Sequence, residues 1–225
     1  VIVGDGPGQR DHSEIGARHD YLFARNRDTG QGNGFLTVID HHRETPDITG
    51  VQAITLPDGA EGPVALRVFR RTGEDPILQA PDDAERVYGR MTFAGRAAVF
   101  SQEKDGRLSL FLSESSRFTS PFLSVTLRRP VIEGLITASD GSGFETDVKI
   151  PDTSALTGSF VEVEDPEQGC WTAYAIKSVR GRRVEVVFFP FNAGTRLRIP
   201  SVFSLEQESG DALRVRTTTP AEITL

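Results

Sequence analysis

The segment Lys104-Asp105-Gly106-Arg107-Leu108-Ser109-Leu110-Phe111-Leu112 decides the fold class of this chain. Its leucines stand at every second position, which places them on one face of a β-strand and is the opposite of a helical stripe. The Asp-Gly pair before them favours a tight turn with positive φ between antiparallel strands. The segment therefore predicts the second strand of a β-hairpin.

The run from Ala173 to Phe189 repeats this pattern, because two β-branched and aromatic stretches flank the connection Arg180-Gly181-Arg182. Short alternating segments with turn signals recur along the chain, which is typical of a sandwich or barrel and not of βαβ units. We predict an all-β, antiparallel β-sandwich fold with almost no helix. Its strands are expected near residues 1–3, 19–25, 34–40, 50–56, 63–70, 76–79, 90–94, 96–102, 107–112, 122–128, 131–138, 144–150, 159–164, 171–179, 183–189, 195–199, 202–206, 212–217 and 221–225.

A break in the strand pattern lies at Arg128-Arg129-Pro130, where proline interrupts a ladder and apolar strands restart on both sides. We therefore predict two domains: residues 1–129 as an antiparallel β-sandwich portion and residues 130–225 as a small C-terminal β-domain. The glycine-rich stretches 27–34 and 140–143 are predicted to be hairpin tips.

Composition excludes several classes of protein. The net charge of −7 argues against sequence-independent binding of nucleic acid, which needs a basic surface. No apolar run approaches the roughly 20 residues that span a bilayer, so no membrane partner is expected. The single cysteine, Cys170, excludes a disulfide framework and a cysteine-based zinc site within the chain. The abrupt start on the apolar Val1-Ile2-Val3 favours an internal cut in a longer polypeptide.

Several local patterns invite a chemical interpretation. The opening Val3-Gly4-Asp5-Gly6-Pro7-Gly8-Gln9 begins like a dinucleotide-binding turn, but Gln9 stands where the third glycine belongs and no βαβ frame follows. The neighbours His41 and His42 at a strand end would point to opposite faces, which disfavours one metal site. We predict surface histidines, no catalytic residue and no metal ligand in this chain.

Two carboxylate pairs stand at strand spacing, Glu145 with Asp147 and Glu162 with Glu164. A glycosidase-like acid/base couple is conceivable, yet solvent-facing edges explain both pairs better because apolar residues alternate with the second pair. Clustered arginines, such as Arg25 with Arg27 and Arg196 with Arg198, suit an acidic sugar. Interspersed acidic residues would cancel much of their long-range field, so dispersed surface charge is the simpler interpretation.

The order of several segments resembles the C-terminal β-region of the heparinase II/III-type polysaccharide lyases, closest to the oligoalginate-lyase branch. The resemblance spans most of the chain and is carried by residues 3–9, 20–25, 35–40, 62–68, 93–99, 158–163 and 172–176. It implies that an α/α toroid precedes this region in the same polypeptide, followed by a central sandwich and a small terminal β-domain.

In that family the enzyme removes the C5 proton of a uronate with a Tyr or His base and expels the 4-linked sugar by β-elimination. Neutralising the uronate carboxylate makes that proton acidic enough to remove. The family's catalytic residues and zinc ligands belong to upstream segments, so the resemblance implies no cofactor here, with zinc or another divalent ion in the parent enzyme. We expect a periplasmic or secreted location over a cytoplasmic one.

We therefore expect a non-catalytic β-sandwich portion of a polysaccharide lyase that acts on acidic, uronate-containing glycans. The loop residues Arg25, Arg27 and His42 are the candidates for lining a sugar path. Two alternatives stay open. One is a stand-alone carbohydrate-binding module, and the other is an oligomerisation domain in which aromatics such as Phe188 and Phe189 lie at an interface.

Overall fold

The computed structural model describes residues 2–7, 18–23, 45–54, 64–151, 154–187, 191–208 and 212–225. Regular structure in these residues is almost entirely antiparallel β-strand, and the one exception is the short 3₁₀ helix Ser154–Leu156. The predicted all-β, antiparallel fold class is confirmed. Within these ranges no helix is long and apolar enough to cross a membrane.

The chain divides into two compact units, Val1–Ile39 and Asp40–Leu225. In the first unit, strands β1 (Ile2–Pro7) and β2 (Arg18–Phe23) pair antiparallel, with Ile2 opposite Phe23. The strand predicted at 34–40 and the hairpin tip predicted at 27–34 lie outside the described residues.

In the described residues of the second unit, sixteen strands form one large sheet and one closed barrel. Their bounds are β3 Ile48–Ala53, β4 Val64–Arg70, β5 Gly73–Gln79, β6 Arg86–Tyr88, β7 Met91–Glu103, β8 Leu108–Thr119, β9 Ser124–Leu127, β10 Val131–Asp140, β11 Gly143–Thr146, β12 Phe160–Asp165, β13 Cys170–Arg180, β14 Arg183–Val186, β15 Arg196–Pro200, β16 Val202–Gln207, β17 Leu213–Thr217 and β18 Ala221–Thr224.

The large sheet has ten strands in the order β17-β16-β8-β7-β5-β4-β3, with β6 beside β7, β9 beside β8 and β18 beside β9. Its two longest strands, β7 and β8, each change partner along their length. In one half of this pair, β7 is bonded to β6 and β8 to β9. In the other half, β7 is bonded to β5 and β8 to β16. Side chains from both halves share one core, in which the rings of Phe100 and Phe118 lie 5.4 Å apart. The sheet thus encloses its own apolar interior.

Gly95 marks the point where β7 and β8 change partner. The register between these strands shifts at Ala94/Gly95, which is a β-bulge. Gly95 has φ +148°, and a Cβ there would lie 2.5 Å from the backbone Cα of Ser115. The sequence predicts separate strands at 90–94 and 96–102, whereas the structure has one bulged strand. The short strand β6 is not predicted by the sequence pattern.

The closed barrel has six strands in the order β10-β11-β14-β13-β12-β15, and β15 pairs with β10 to complete the ring. Alternate residues point inward, as expected of strands. The largest side chain of its core, Phe144, is fully buried and meets the ring of Phe191 edge to face at 5.3 Å. The barrel therefore has an apolar core separate from that of the sheet.

The barrel begins and ends at one place. Val131 on β10 lies opposite Pro200 on β15, and the Ser201 N–H donates to the Pro130 carbonyl at 2.8 Å. The chain then returns to the sheet, because β16 pairs with β8 and β18 pairs with β9. The expected division into two domains, residues 1–129 and 130–225, stays a prediction. The strand pairing itself joins residues 202–224 to the preceding sheet.

The three predicted hairpins that fall in described residues are present. Gly106 has φ +90° in the turn between β7 and β8, and Gly181 has φ +65° between β13 and β14. The tip at 140–143 joins β10 to β11, where the Asp140 carboxylate accepts from the Ser142 and Gly143 N–H groups. These turns follow from glycine and Asx chemistry that is local to each segment.

Candidate functional site: the tryptophan face of the barrel

The outer wall of the barrel carries a charged and aromatic patch across β13, β12 and β15. Along β12 and β15, Val163 and Leu197 point into the core. The residues between such core positions face outward because strand side chains alternate. We call the resulting patch the tryptophan face, and it consists of Trp171, Glu162, Glu164, Arg196 and Arg198.

Two ion pairs cross the seam between β12 and β15. Arg196 Nε donates to Glu164 Oε2 at 2.6 Å, and its Nη2 donates to Oε1 of the same carboxylate. Arg198 Nε donates to Glu162 Oε2, its direct partner in the register. These Arg–carboxylate contacts are charge-assisted hydrogen bonds of the stronger kind.

This seam is short. Only Glu162 with Arg198 and Val163 with Leu197 are paired between β12 and β15. The ion pairs therefore reinforce the closure of the barrel as well as fixing the orientation of both guanidinium groups.

Trp171 lies beside these arginines on β13. It stands directly opposite Glu164 in the register and is 37% exposed. The Arg198 guanidinium carbon is 5.0 Å from the ring centroid, and that of Arg196 is 5.7 Å away. Both distances are within the range of a cation–π interaction, which is worth roughly 0.5–1 kcal/mol at exposed sites. The ring and the two cations thus form one ordered group.

The guanidinium groups keep donors for a ligand. A guanidinium has five N–H donors. Arg196 directs two N–H groups to Glu164 and Arg198 directs one to Glu162, so among the described residues the remaining donors have no partner. Because the glutamates hold both groups in place, little side-chain entropy is lost when a ligand binds.

Apolar surface adjoins the tryptophan face. Phe160 on β12 is 56% exposed, and Leu135 on β10, opposite Arg196 in the register, is 41% exposed. A surface with both apolar rings and oriented donors suits a ligand that has an apolar side and hydroxyl or carboxylate groups.

The predicted carboxylate pairs behave as structural groups. Hydrogen bonding from Arg196 lowers the pKa of Glu164, so this carboxyl stays ionised at neutral pH. A glycosidase acid needs a raised pKa, so the environment of Glu164 disfavours the acid/base alternative. Asp147, of the other pair, accepts a hydrogen bond from the Leu135 N–H at 2.7 Å.

The three predicted sugar-lining residues, Arg25, Arg27 and His42, lie outside the described residues, and so do the aromatics Phe188 and Phe189. They stay predictions. Within the ranges that the structure describes, no three His, Cys, Asp or Glu side chains are placed to hold a metal ion.

Residue patterns predict four members of the tryptophan face, the pair Glu162 and Glu164 and the cluster Arg196 with Arg198, but they do not connect these residues with one another or with Trp171. Arg196 and Arg198 alternate with the buried Leu197 and Ile199, which places both arginines outside. Trp171 has the outward parity on β13, since Ile176 is buried. The pairing of β12 with β15 could not be predicted from these local patterns, and this pairing brings the three strands side by side.

Comparisons with protein-family models, with curated proteins and with solved structures returned no match for this chain.

Proposed function

We propose that this chain is a non-catalytic, glycan-binding β-region of a heparinase II/III-like polysaccharide lyase, and that its tryptophan face holds a uronate-containing glycan. The observation that carries the binding part is the exposed Trp171 with the Arg196 and Arg198 guanidinium groups 5.7 and 5.0 Å from its ring. The lyase part is supported by the sequence resemblance.

The chemistry of a uronate matches this surface. The C–H face of a sugar ring is apolar and can pack against an exposed indole. The carboxylate can accept parallel hydrogen bonds from a guanidinium, which presents a planar fork of donors. Glu162 and Glu164 hold the forks in position, and their carboxylates can also accept from sugar hydroxyls.

The charge of the face sets the expected strength. The two arginines are balanced by Glu162 and Glu164. The hydrogen bond to Glu164 is the main cause that raises the pKa of Arg196, and the negative charge of Glu133 adds to it. An acidic ligand therefore meets little net attraction at long range, and we expect recognition at short range with a moderate dependence on salt.

Trp171 is the only tryptophan in the chain, so its emission reports directly on the proposed site. We expect alginate or heparin oligosaccharides to change this emission with a saturable dependence that weakens as salt is added. In calorimetry, Trp171→Ala and Arg198→Gln should each weaken binding at least about tenfold, the equivalent of 1.4 kcal/mol.

Phe111→Ala is the matched control, since Phe111 is an aromatic of similar exposure (42%) on the large sheet. Equal binding by the wild type and by Trp171→Ala would contradict the proposed site. The chain alone should release no unsaturated uronate from alginate, heparin or hyaluronan, and a steady rise proportional to protein would contradict the non-catalytic assignment.

A second candidate function is self-association. It is favoured by the exposed Phe160 and Leu135, which place apolar surface beside the tryptophan face. A molar mass that rises with concentration in the wild type and stays monomeric in Phe160→Ser would support it. A constant monomeric mass would leave glycan binding as the better explanation of this surface.

A further inference from the structure

A second concave site lies on the large sheet, where β3, β4, β5 and β7 meet. Its volume is about 590 Å³, which falls among ordinary small-ligand sites of roughly 300–1,000 Å³. One row of residues crosses its four strands in register, and directly paired residues on one sheet face lie within contact distance. This row is Gly50, Phe69, Glu74 and Gln102.

Two glycines shape this cleft. A Cβ at Gly50 would lie 3.5 Å from Phe69 Cδ2, so the absent side chain leaves the edge of that half-buried ring uncovered. A Cβ at Gly73 would lie 2.2 Å from the Gln102 carbonyl oxygen, so glycine permits β5 to approach β7 closely here. The two glycines therefore shape part of the cleft through the backbone, and side chains such as Phe69 and Arg70 complete it.

Arg70 forms a fixed wall of the cleft. Its Nε and Nη2 donate to the two Asp75 oxygens at 2.7 Å each, and Nη2 also donates to Glu103 Oε1 at 2.8 Å. Its Nη1 donates to Thr72 Oγ1 at 2.9 Å. The hydrogen bonds that Arg70 donates to Asp75 are the main cause that raises the pKa of Arg70. Its charge is thus neutralised inside the protein and is not offered to a ligand.

Other polar groups of the cleft remain available. Glu74 Oε2 is 3.9 Å from Arg67 Nε, too far for a hydrogen bond, and the Glu74 carboxylate accepts none from the described residues. Lys104 is exposed and forms no ion pair within the described part of the chain. Gln102 adds an amide that can both donate and accept.

Formal charge around the cleft is balanced. Among the residues that line the cleft, the two cations Arg70 and Lys104 are balanced by the two anions Glu74 and Glu103. An ionic ligand gains no net attraction from such a set. A ligand with one apolar side and several hydroxyls gains contact with the Phe69 ring and hydrogen bonds from groups that now lack partners.

We infer that this cleft is a second binding site, separate from the tryptophan face, which takes one or two pyranose units of an uncharged glycan. The ring of the sugar packs on Phe69, and its hydroxyls bond to Glu74, Gln102 and Lys104. The inference does not depend on the proposed function, because the two sites share no residue and select ligands of different charge.

The test is a titration of the full chain, labelled with ¹⁵N, with cellobiose, maltose and a uronate trisaccharide as separate probes. We expect at least one neutral disaccharide to shift the Gly50 and Gly73 amide signals saturably while the Trp171 indole signal stays in place. The uronate probe should shift the Trp171 signal instead.

Gly50→Val should abolish the response to the neutral disaccharide, because its side chain fills the space beside Phe69. Gly141→Val is the matched control, since Gly141 has no heavy atom within 4 Å of an added Cβ. Lys104→Ala and Glu74→Gln, which leave the packing intact, should each weaken the response at least about tenfold. Absence of any shift at Gly50 and Gly73, or an unchanged shift in Gly50→Val, would overturn the inference whatever happens at Trp171.

Discussion

The large sheet and the barrel each enclose an apolar core, and they do so in different ways. Each contains long strands that change partner at a register shift, at Ala94/Gly95 in the sheet and at Ile136/Ala138 and Ile176/Ser178 in the barrel. The sheet bends over a core, and among the described residues its edge strands are β3, β6, β17 and β18. The barrel closes its ring and has no edge strand.

The sheet and the barrel are therefore destabilised by changes at different places. Enclosure of the sheet's core involves the bulge at Gly95, whose φ of +148° is rarely adopted by residues with a side chain. Closure of the barrel depends on the short β12–β15 seam, which the ion pairs of the tryptophan face span from outside. The candidate binding surface is therefore also a structural clamp.

The largest effect should come from adding a methyl group at the bulge. Gly95→Ala should destabilise the sheet by about 3 kcal/mol, since the φ of +148° is strained for alanine and the new Cβ meets Ser115 Oγ at 2.2 Å. Hydrogen exchange of β7 and β8 peptides during urea unfolding should show the loss, while the Trp171 transition keeps its midpoint.

Gly143→Ala is the barrel counterpart, because a Cβ there would meet the Val184 carbonyl oxygen at 2.1 Å. It should lower the Trp171 midpoint and spare β7 and β8. Gly141→Ala, in open space, should change neither. If both transitions move together in both variants, sheet and barrel unfold as one unit and the contrast between them fails.

A smaller effect, of opposite sign, is expected in the core of the sheet. The Tyr88 hydroxyl is buried and has no hydrogen-bond partner among the described residues. Burial raises the pKa of Tyr88, so the phenol is neutral at neutral pH. Tyr88→Phe removes an unsatisfied polar atom and should stabilise the sheet by about 1 kcal/mol.

Chemical denaturation followed by exchange of the β6 and β7 amides measures this gain. Tyr174→Phe is the matched change in the barrel, where the Tyr174 ring meets Phe191 edge to face, and it should leave the sheet unaltered. A loss of stability in Tyr88→Phe would reveal a partner for the hydroxyl.

The smallest effect concerns acid and the barrel seam. The pKa of Glu164 is lower in the folded chain than in the unfolded chain because Arg196 bonds to its carboxylate. The stabilisation that this ion pair gives to the folded chain is therefore fully present above the unfolded pKa of Glu164. It is lost as the pH falls through the folded pKa of Glu164. The Trp171 unfolding midpoint should decrease over that acid range, and less so in Glu164→Gln.

Glu167→Gln, in the exposed turn between β12 and β13, is the control for removing one negative charge. It should keep the full acid sensitivity of the wild type. Identical pH profiles for wild type and Glu164→Gln would mean that the seam does not depend on this ion pair.

Much of the fold could be predicted because its signals are local. The alternation at Leu108, Leu110 and Leu112 and the turn at Asp105-Gly106 lie within a few residues, and β8 forms there. At Gly95 the sequence predicts a break between two strands, because a glycine within a strand pattern is equally consistent with a break and with a bulge. Only the partner strand distinguishes these two.

The candidate sites are less accessible from sequence. The tryptophan face joins residues from three strands. Two of these residues, Trp171 and Arg196, lie 25 positions apart in the sequence. The cleft row runs from Gly50 to Gln102. No local pattern states which strands are neighbours, since pairing is decided by the packing of the whole core.

Residue patterns predict that the chain forms antiparallel strands, where most of them begin and end, and which of their faces is apolar. The pairing of distant strands closes residues 131–200 into a barrel, returns residues 202–224 to the first sheet, and brings Trp171 to Arg196 and Arg198. Alternation and turn chemistry act between residues that are close in the sequence, so they can be predicted from it. Strand order cannot, because it minimises the exposed apolar surface of the entire unit.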